Sequence, residues 1–284
     1  MLLNASGCLD ALTAPEVARS LDAFVTKTIT PEPRDGNAPI RIAEVEHGML
    51  NSIGLANPGR DRFLAEVLPE LRELGVPIWV SVGGFDAADY GETCSRLEGV
   101  AAIELNLSCP NVDDAAQTAA EIVAAARAAT ELPLYAKLSP ATWDITEQAR
   151  AVEAAGADGL ALVNTIRGLA LDAKTLRPIL STGTGGYSGP GLRPIALAAV
   201  YACARSTDLP IVGMGGVASG DDALDLIAAG ASAVALGTIL FADPGAAVRI
   251  RGELEAAAAA RGFANPLDAR GAAHVVRLDK SSTP

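Results

Sequence analysis

"PIVGMGGVASGDDALDLIAAGASAVALGT", residues 210–238, reads as two strand–turn–helix units in succession, and its punctuation decides the fold. A β-rich apolar run at 210–215 breaks on a glycine pair, a stretch with helical spacing follows, and Gly230 ends it before a second apolar run at 232–237. Glycine suits a helix C-terminus because it enters the left-handed region without a Cβ clash. Working outward, the same alternation recurs through "DAFVTK" (22–27), "PIWVSV" (77–82), "AAIELN" (101–106), "PLYAKL" (133–138) and "DGLALVN" (158–164), with "LLNAS" (2–6) at the start. With 210–215 and 232–237 these make eight candidate strands, separated by Ala/Leu/Glu/Arg segments of helical periodicity. Such alternation is the mark of βα units around a parallel sheet. "AVEAAGADG" and "LIAAGASAV" are weakly alike, each a helix end closed by glycine, and "EAAAAA" (255–260) fits a surface helix. No linker divides the chain, so the expectation is an α/β fold: one (β/α)8 TIM barrel spanning 1–284 as a single domain.

Composition narrows the function. The 284 residues are 50% hydrophobic and 20% charged, enough for a large core. A net charge of −12 would repel a phosphate backbone, so small ligands are expected and nucleic acid is not. Cys8, Cys94, Cys109 and Cys203 are scattered without a CxxC pair, which argues against a metal site or disulfide framework and for a reducing compartment. Only two histidines are present, and neither a signal-peptide pattern nor a membrane-length apolar run occurs; the expected location is the cytoplasm.

In a barrel of this kind the ligand site lies at the C-terminal ends of the strands, so those ends are read together. They offer Asn4 and Ser6, Lys27, Ser81, Asn106 with Ser108 and Cys109, Lys137, Asn164 with Thr165, Gly215 with Gly216, and Gly237 with Thr238. Glycines after the last two strands let backbone N–H groups approach an anion, although any tight βα turn would carry them too; as a pair they favour a phosphate-bearing ligand. Lys137 has no partner among its strand neighbours, so its charge needs an anion from a ligand or another strand, or the side chain reaches the rim. A flavin would supply one, because a cation near its N1/O2 edge stabilises the anionic reduced ring. Lys27 faces the same choice. Cys109, set in "LSCPN", is a candidate general base, with Asn51, Asn106, Asn111 and Asn164 as amides around a planar polar ligand. Together these groups describe removal of a proton from one carbon and a hydride from its neighbour, that is, dehydrogenation next to a carbonyl.

"NASG" (4–7), "VTKTIT" (25–30), "GMLNSIGLANPG" (48–59), "IELNLSCPNV" (103–112), "YAKLSP" (135–140), "GADGLALVNT" (156–165), "GGYSGP" (185–190), "IVGMGGV" (211–217) and "ASAVALGT" (231–238) resemble the class 1 dihydroorotate dehydrogenases of pyrimidine biosynthesis nearly end to end. That resemblance implies oxidation of dihydroorotate to orotate with hydride transfer to FMN, and makes Cys109 the base for the substrate's C5 proton. It implies that Asn51, Asn106, Asn111, Asn164 and Thr165 bind orotate, with Lys27 beside both substrate and flavin. Ala5, Ser6, Lys27, Lys137, Gly189, Gly215, Gly216, Gly237 and Thr238 would hold FMN. "KLSP", "GGYSGP" and "GMGGV" look most like the NAD-linked subclass (1B). There the FMN barrel, itself a homodimer, joins a second subunit carrying FAD and a [2Fe–2S] cluster in a heterotetramer.

The sequence departs from that pattern twice. After "SCPNV" it enters a helical pattern at once, where the family has a longer glycine-containing loop over the substrate, and the family's short hairpin ahead of "NASG" is missing. The rival readings are a dihydropyrimidine dehydrogenase-like flavin barrel, which needs no carboxylate site, a non-catalytic flavin-binding assembly subunit, and a colourless phosphosugar barrel.

Overall fold

The computed structural model describes residues 1–107 and 115–274, with 115–117 by backbone alone. In chain order, β1 (Leu2–Asn4), α1 (Pro15–Arg19) and β2 (Phe24–Val25) lead to a hairpin of β3 (Ile42–Val45) and β4 (Gly48–Asn51). A helix in three segments follows: α2 (Arg60–Arg62), a π turn (Phe63–Val67) and α3 (Leu68–Arg72). Then come β5 (Ile78–Val82), α4 (Ala87–Ser95), β6 (Ala102–Asn106), α5 (Ala115–Ala129), β7 (Leu134–Leu138), α6 (Ile145–Ala154) and β8 (Gly159–Leu162). The chain next forms β9 (Ile166–Gly168), β10 (Gly185–Ser188), a 3₁₀ turn and α7 (Arg193–Cys203). It continues through β11 (Ile211–Met214), α8 (Gly220–Ala228), β12 (Ala233–Leu236), α9 (Ile239–Ala242) and α10 (Ala246–Ala260), with two short 3₁₀ turns beyond.

Eight of these strands pair in parallel in the order β1-β12-β11-β8-β7-β6-β5-β2, and a parallel bridge from Leu3 to Ala23 brings the two ends of the sheet together. All eight lie where the sequence places them, and the fold is the (β/α)8 barrel expected from it. The seam between β1 and β2 is short on backbone pairing, and Asn4 makes up for it. Its side chain, fully buried, accepts from the Val25 N–H at 2.8 Å and donates to the Val25 carbonyl at 2.7 Å. A carboxamide has the donor and acceptor of a peptide group, so Asn4 extends the ladder by one rung.

Strand side chains alternate between two cores, as the period of two requires. Ile103, Leu105, Leu134, Ala136, Leu160, Leu162, Val234 and Leu236 face outward beneath the helices. Leu3, Val25, Trp79, Ala102, Ala161, Val212, Met214 and Ala233 fill the barrel, where the Trp79 and Tyr135 rings meet at 4.4 Å. Gly159 makes room for that pair, since a Cβ there would lie 2.3 Å from the Tyr135 ring. The "EAAAAA" helix is superficial on one side only, because Ala257 and Ala258 are buried.

A second sheet, β3-β4-β10-β9, is antiparallel throughout and was not visible in the sequence. Its strands have three or four residues and no clean alternation of burial, so periodicity does not mark them. It brings Asn51, at the end of β4, opposite Gly186 of β10.

Candidate active site

The C-terminal ends of the strands open into a cavity of about 1450 Å³. Its wall includes Ala5, Ser6, Lys27, Asn51, Asn106, Lys137, Asn164, Thr165, Gly189, Gly215, Gly216, Gly237 and Thr238, thus every expected site residue among those described. The remaining two, Cys109 and Asn111, lie outside the described residues.

The pleat explains the polar floor. On β6, Ala102 points inward, so Glu104 and Asn106 do as well; on β7, Tyr135 points inward and Lys137 follows; on β5, Trp79 is followed by Ser81. Lys137, 4% exposed, donates to Ser6 Oγ at 2.8 Å and stands 3.4 Å from Glu104 Oε1. The anion that Lys137 requires therefore comes from the neighbouring strand. Glu104 is 2% exposed and accepts from Ser81 Oγ at 3.0 Å. Ser81 Oγ and Thr28 Oγ1 share a hydrogen bond of 2.9 Å, Asn106 Nδ2 donates to Thr28 Oγ1 at 3.2 Å, and Asn164 Nδ2 donates to Asn106 Oδ1 at 3.2 Å. One line of hydrogen bonds thus crosses the barrel from the amides to the lysine. Asn106 is steadied further by Tyr90, whose hydroxyl donates to its carbonyl at 2.7 Å. Asn51 stands apart from this line, donating from Nδ2 to the Gly186 carbonyl at 3.2 Å.

Lys27 folds across Gly7, close enough that a Cβ there would lie 3.0 Å from Nζ. Burial, with a smaller contribution from the Lys137 charge, holds its ammonium below the ordinary lysine range. The half-buried Cys8 also lines the cavity. Burial raises its pKa, outweighing the pull of Lys137 and Lys27, so Cys8 is a neutral thiol at pH 7.

The turns after β11 and β12 meet the start of the β10–α7 connection. Gly216, at φ +78°, passes so close that a Cβ would lie 2.8 Å from the Arg193 nitrogen and 2.9 Å from the Gly189 carbonyl. Thr238 Oγ1 donates to Ser188 Oγ at 2.8 Å, tying β12's turn to β10. Backbone N–H groups and hydroxyls without carboxylates are the donor set that suits a phosphate. At the floor, the buried ammonium of Lys137 matches the electron-rich edge of a flavin ring. The residues present therefore fit FMN.

Glu104, Ser81 and Thr28 were not singled out as ligand residues from sequence, although Ser81 was counted among the strand ends. Counting back by two from Asn106 would have found Glu104. Among the described residues no group of three or more His, Cys, Asp or Glu could hold a metal ion, and no helix is long and apolar enough to cross a membrane.

A parallel barrel with a glycine-lined end and a lysine floor belongs to the cofactor-using barrels. Comparison with known proteins narrows this class to one family. The dihydroorotate dehydrogenase family model matches residues 1–257, and the chain belongs to that family. It is 46% identical over 234 residues to the dihydroorotate dehydrogenase B (NAD(+)) catalytic subunit of Listeria welshimeri, covering 79% of this chain and 77% of the relative. It is 43% identical over 277 residues to the protein of the same name from Anoxybacillus flavithermus, covering 92% and 88%. In fold it is similar to the Eimeria tenella dihydroorotate dehydrogenase solved with ferulenol, at a TM-score of 0.82 and 24% identity, covering 96% of this chain and 85% of the other.

Proposed function

We propose that this chain is the FMN-binding catalytic subunit of an NAD-linked dihydroorotate dehydrogenase, oxidising dihydroorotate to orotate. The observation that carries this reading is the meeting of Lys27, Lys137, Asn51, Asn106 and Asn164 around one cavity at the strand ends. FMN, when bound, supplies the acceptor for the hydride that leaves the substrate carbon next to the deprotonated one. Gly215, Gly216, Gly237 and Thr238 would hold its phosphate, Ala5, Ser6 and Gly189 would bind the cofactor as well, and Lys137 would supply a positive charge to its reduced ring. Asn51, Asn106, Asn111, Asn164 and Thr165 would bind the pyrimidine ring of the substrate, with Lys27 beside both substrate and cofactor.

Cys109 takes the C5 proton of dihydroorotate. A free cysteine has a pKa of about 8.5, so a thiolate is accessible near neutral pH. The carbonyl next to C5 makes that proton removable. Closing the site against water strengthens each of these charge interactions. In the assembly, electrons leave through a partner subunit carrying FAD and a [2Fe–2S] cluster and reach NAD; the relatives' designation as catalytic subunits supports a partner. The barrel itself pairs as a homodimer within that complex, and the whole chain 1–284 acts as one FMN domain.

The test is anaerobic. The purified chain should carry a yellow flavin that bleaches on addition of dihydroorotate, and Cys109→Ala should bleach orders of magnitude more slowly at neutral pH while still binding orotate. A yellow protein that bleaches with dihydrouracil and ignores dihydroorotate would overturn the substrate. A colourless protein that does not take up added FMN would overturn the cofactor.

A further inference from the structure

The carboxylate of Glu104 is the least expected group in the barrel. Burying an ionised carboxylate is costly unless it is paired and hydrogen-bonded, and Glu104 is both. Its partners are specific: the same oxygen, Oε1, lies 3.0 Å from Ser81 Oγ and 3.4 Å from Lys137 Nζ. Lys137 Nζ in turn lies 2.8 Å from Ser6 Oγ, on the opposite side of the cavity floor. The ammonium is therefore held between a hydroxyl on the β1 end and a carboxylate one strand away. Lys27, half-buried, contributes a second cation to the same cavity, so two positive charges face one negative charge there.

We infer that Glu104 is a positioning residue that fixes Lys137 at the cavity floor and, by offsetting part of its charge, sets the reduction potential of the bound flavin. The inference rests on the FMN reading above. Reduction adds negative charge to the ring system, and a bare buried cation would favour the reduced form strongly. A carboxylate beside that cation weakens the preference, leaving the cofactor easier to reoxidise by the next carrier. Ser81 and Thr28 serve this arrangement by keeping the carboxylate solvated within the barrel. They also link it to Asn106 and Asn164, so that the amides and the lysine share one rigid frame.

Glu104→Gln keeps the shape and the Ser81 hydrogen bond while removing the charge. Redox titration of the FMN-loaded variant should show a more positive midpoint than wild type, by at least a tenfold change in the reduced-to-oxidised ratio, about 30 mV for a two-electron couple. In a Lys137→Met background the same substitution should shift the potential less, because the share that comes from fixing the lysine's position is then gone. A residue with a structural role alone would lower the melting temperature and leave the potential where it was; that result would overturn the inference. If Glu104→Gln does not fold, Glu104→Asp, which withdraws the oxygen from Lys137 and keeps the charge, should give a smaller shift of the same sign, and no shift would overturn it equally. Failure of the wild-type chain to bind FMN would instead refute the cofactor reading, which the wild-type spectrum reads separately.

Discussion

Cys94 and Cys203 are buried behind the barrel, and burial pushes each thiol up to about 12. Cys8 is raised as well, even with two lysines nearby. For a group whose neutral form is the protonated one, a raised pKa means that the thiolate is scarce below it, so these three cysteines are poor nucleophiles at pH 7–8. The base proposed at Cys109 has the opposite requirement. Iodoacetamide at pH 8 should therefore label Cys109 first, with Cys8, Cys94 and Cys203 modified more than tenfold more slowly, and orotate should protect Cys109. Peptide mass spectrometry reads the order, and Cys8 labelled as fast as Cys109 would show that the lysine field activates the wrong thiol.

Among the elements, the seam between β1 and β2 is the place where a single side chain does the work of backbone. Asn4→Ala would leave the Val25 N–H and carbonyl buried without partners. Each orphaned group costs about 1–3 kcal/mol, so the variant should lose about 2–6 kcal/mol of unfolding free energy in a urea titration. A loss under about 0.5 kcal/mol would mean that water or a shifted strand replaces the carboxamide. In the sequence, Asn4 appears as a candidate ligand residue at a strand end, yet the fold uses it for closure. The turns after β11 and β12 are legible because their glycines serve a local purpose, as Gly216 at φ +78° shows. By contrast β3, β4, β9 and β10 were missed, since strands this short are made by pairing with one another rather than by their own pattern.

At the scale of the whole molecule, the acidic barrel has one large cavity at its strand ends and, among the described residues, no metal-binding cluster. On the function proposed above, this chain completes the substrate half of a redox reaction and a partner subunit the other half. Purified alone, it should be reduced by dihydroorotate yet pass electrons to NAD at under about one hundredth of the rate seen after co-expression with an FAD/[2Fe–2S] subunit, followed by NADH absorbance. Full NAD reduction by the chain alone would remove the need for that subunit.

The strand pattern, the glycine punctuation and the polar residues at strand ends are local properties, and they determined the barrel, the end of it that holds the cavity and several of the polar residues lining that cavity. Lys137 shows where local information stops. Its place at a strand end was readable from "YAKL", but whether it stays buried, and whether a ligand or a neighbouring strand supplies its counter-charge, was not. That choice depends on the register that sets Asn106 of β6 beside Lys137 of β7 and so brings Glu104, two residues back on the same face, within 3.4 Å of the ammonium. The same holds for Asn4 against Val25 and for Asn51 against Gly186. Periodicity tells which way a side chain points, whereas its partner is fixed only when distant strands are laid edge to edge.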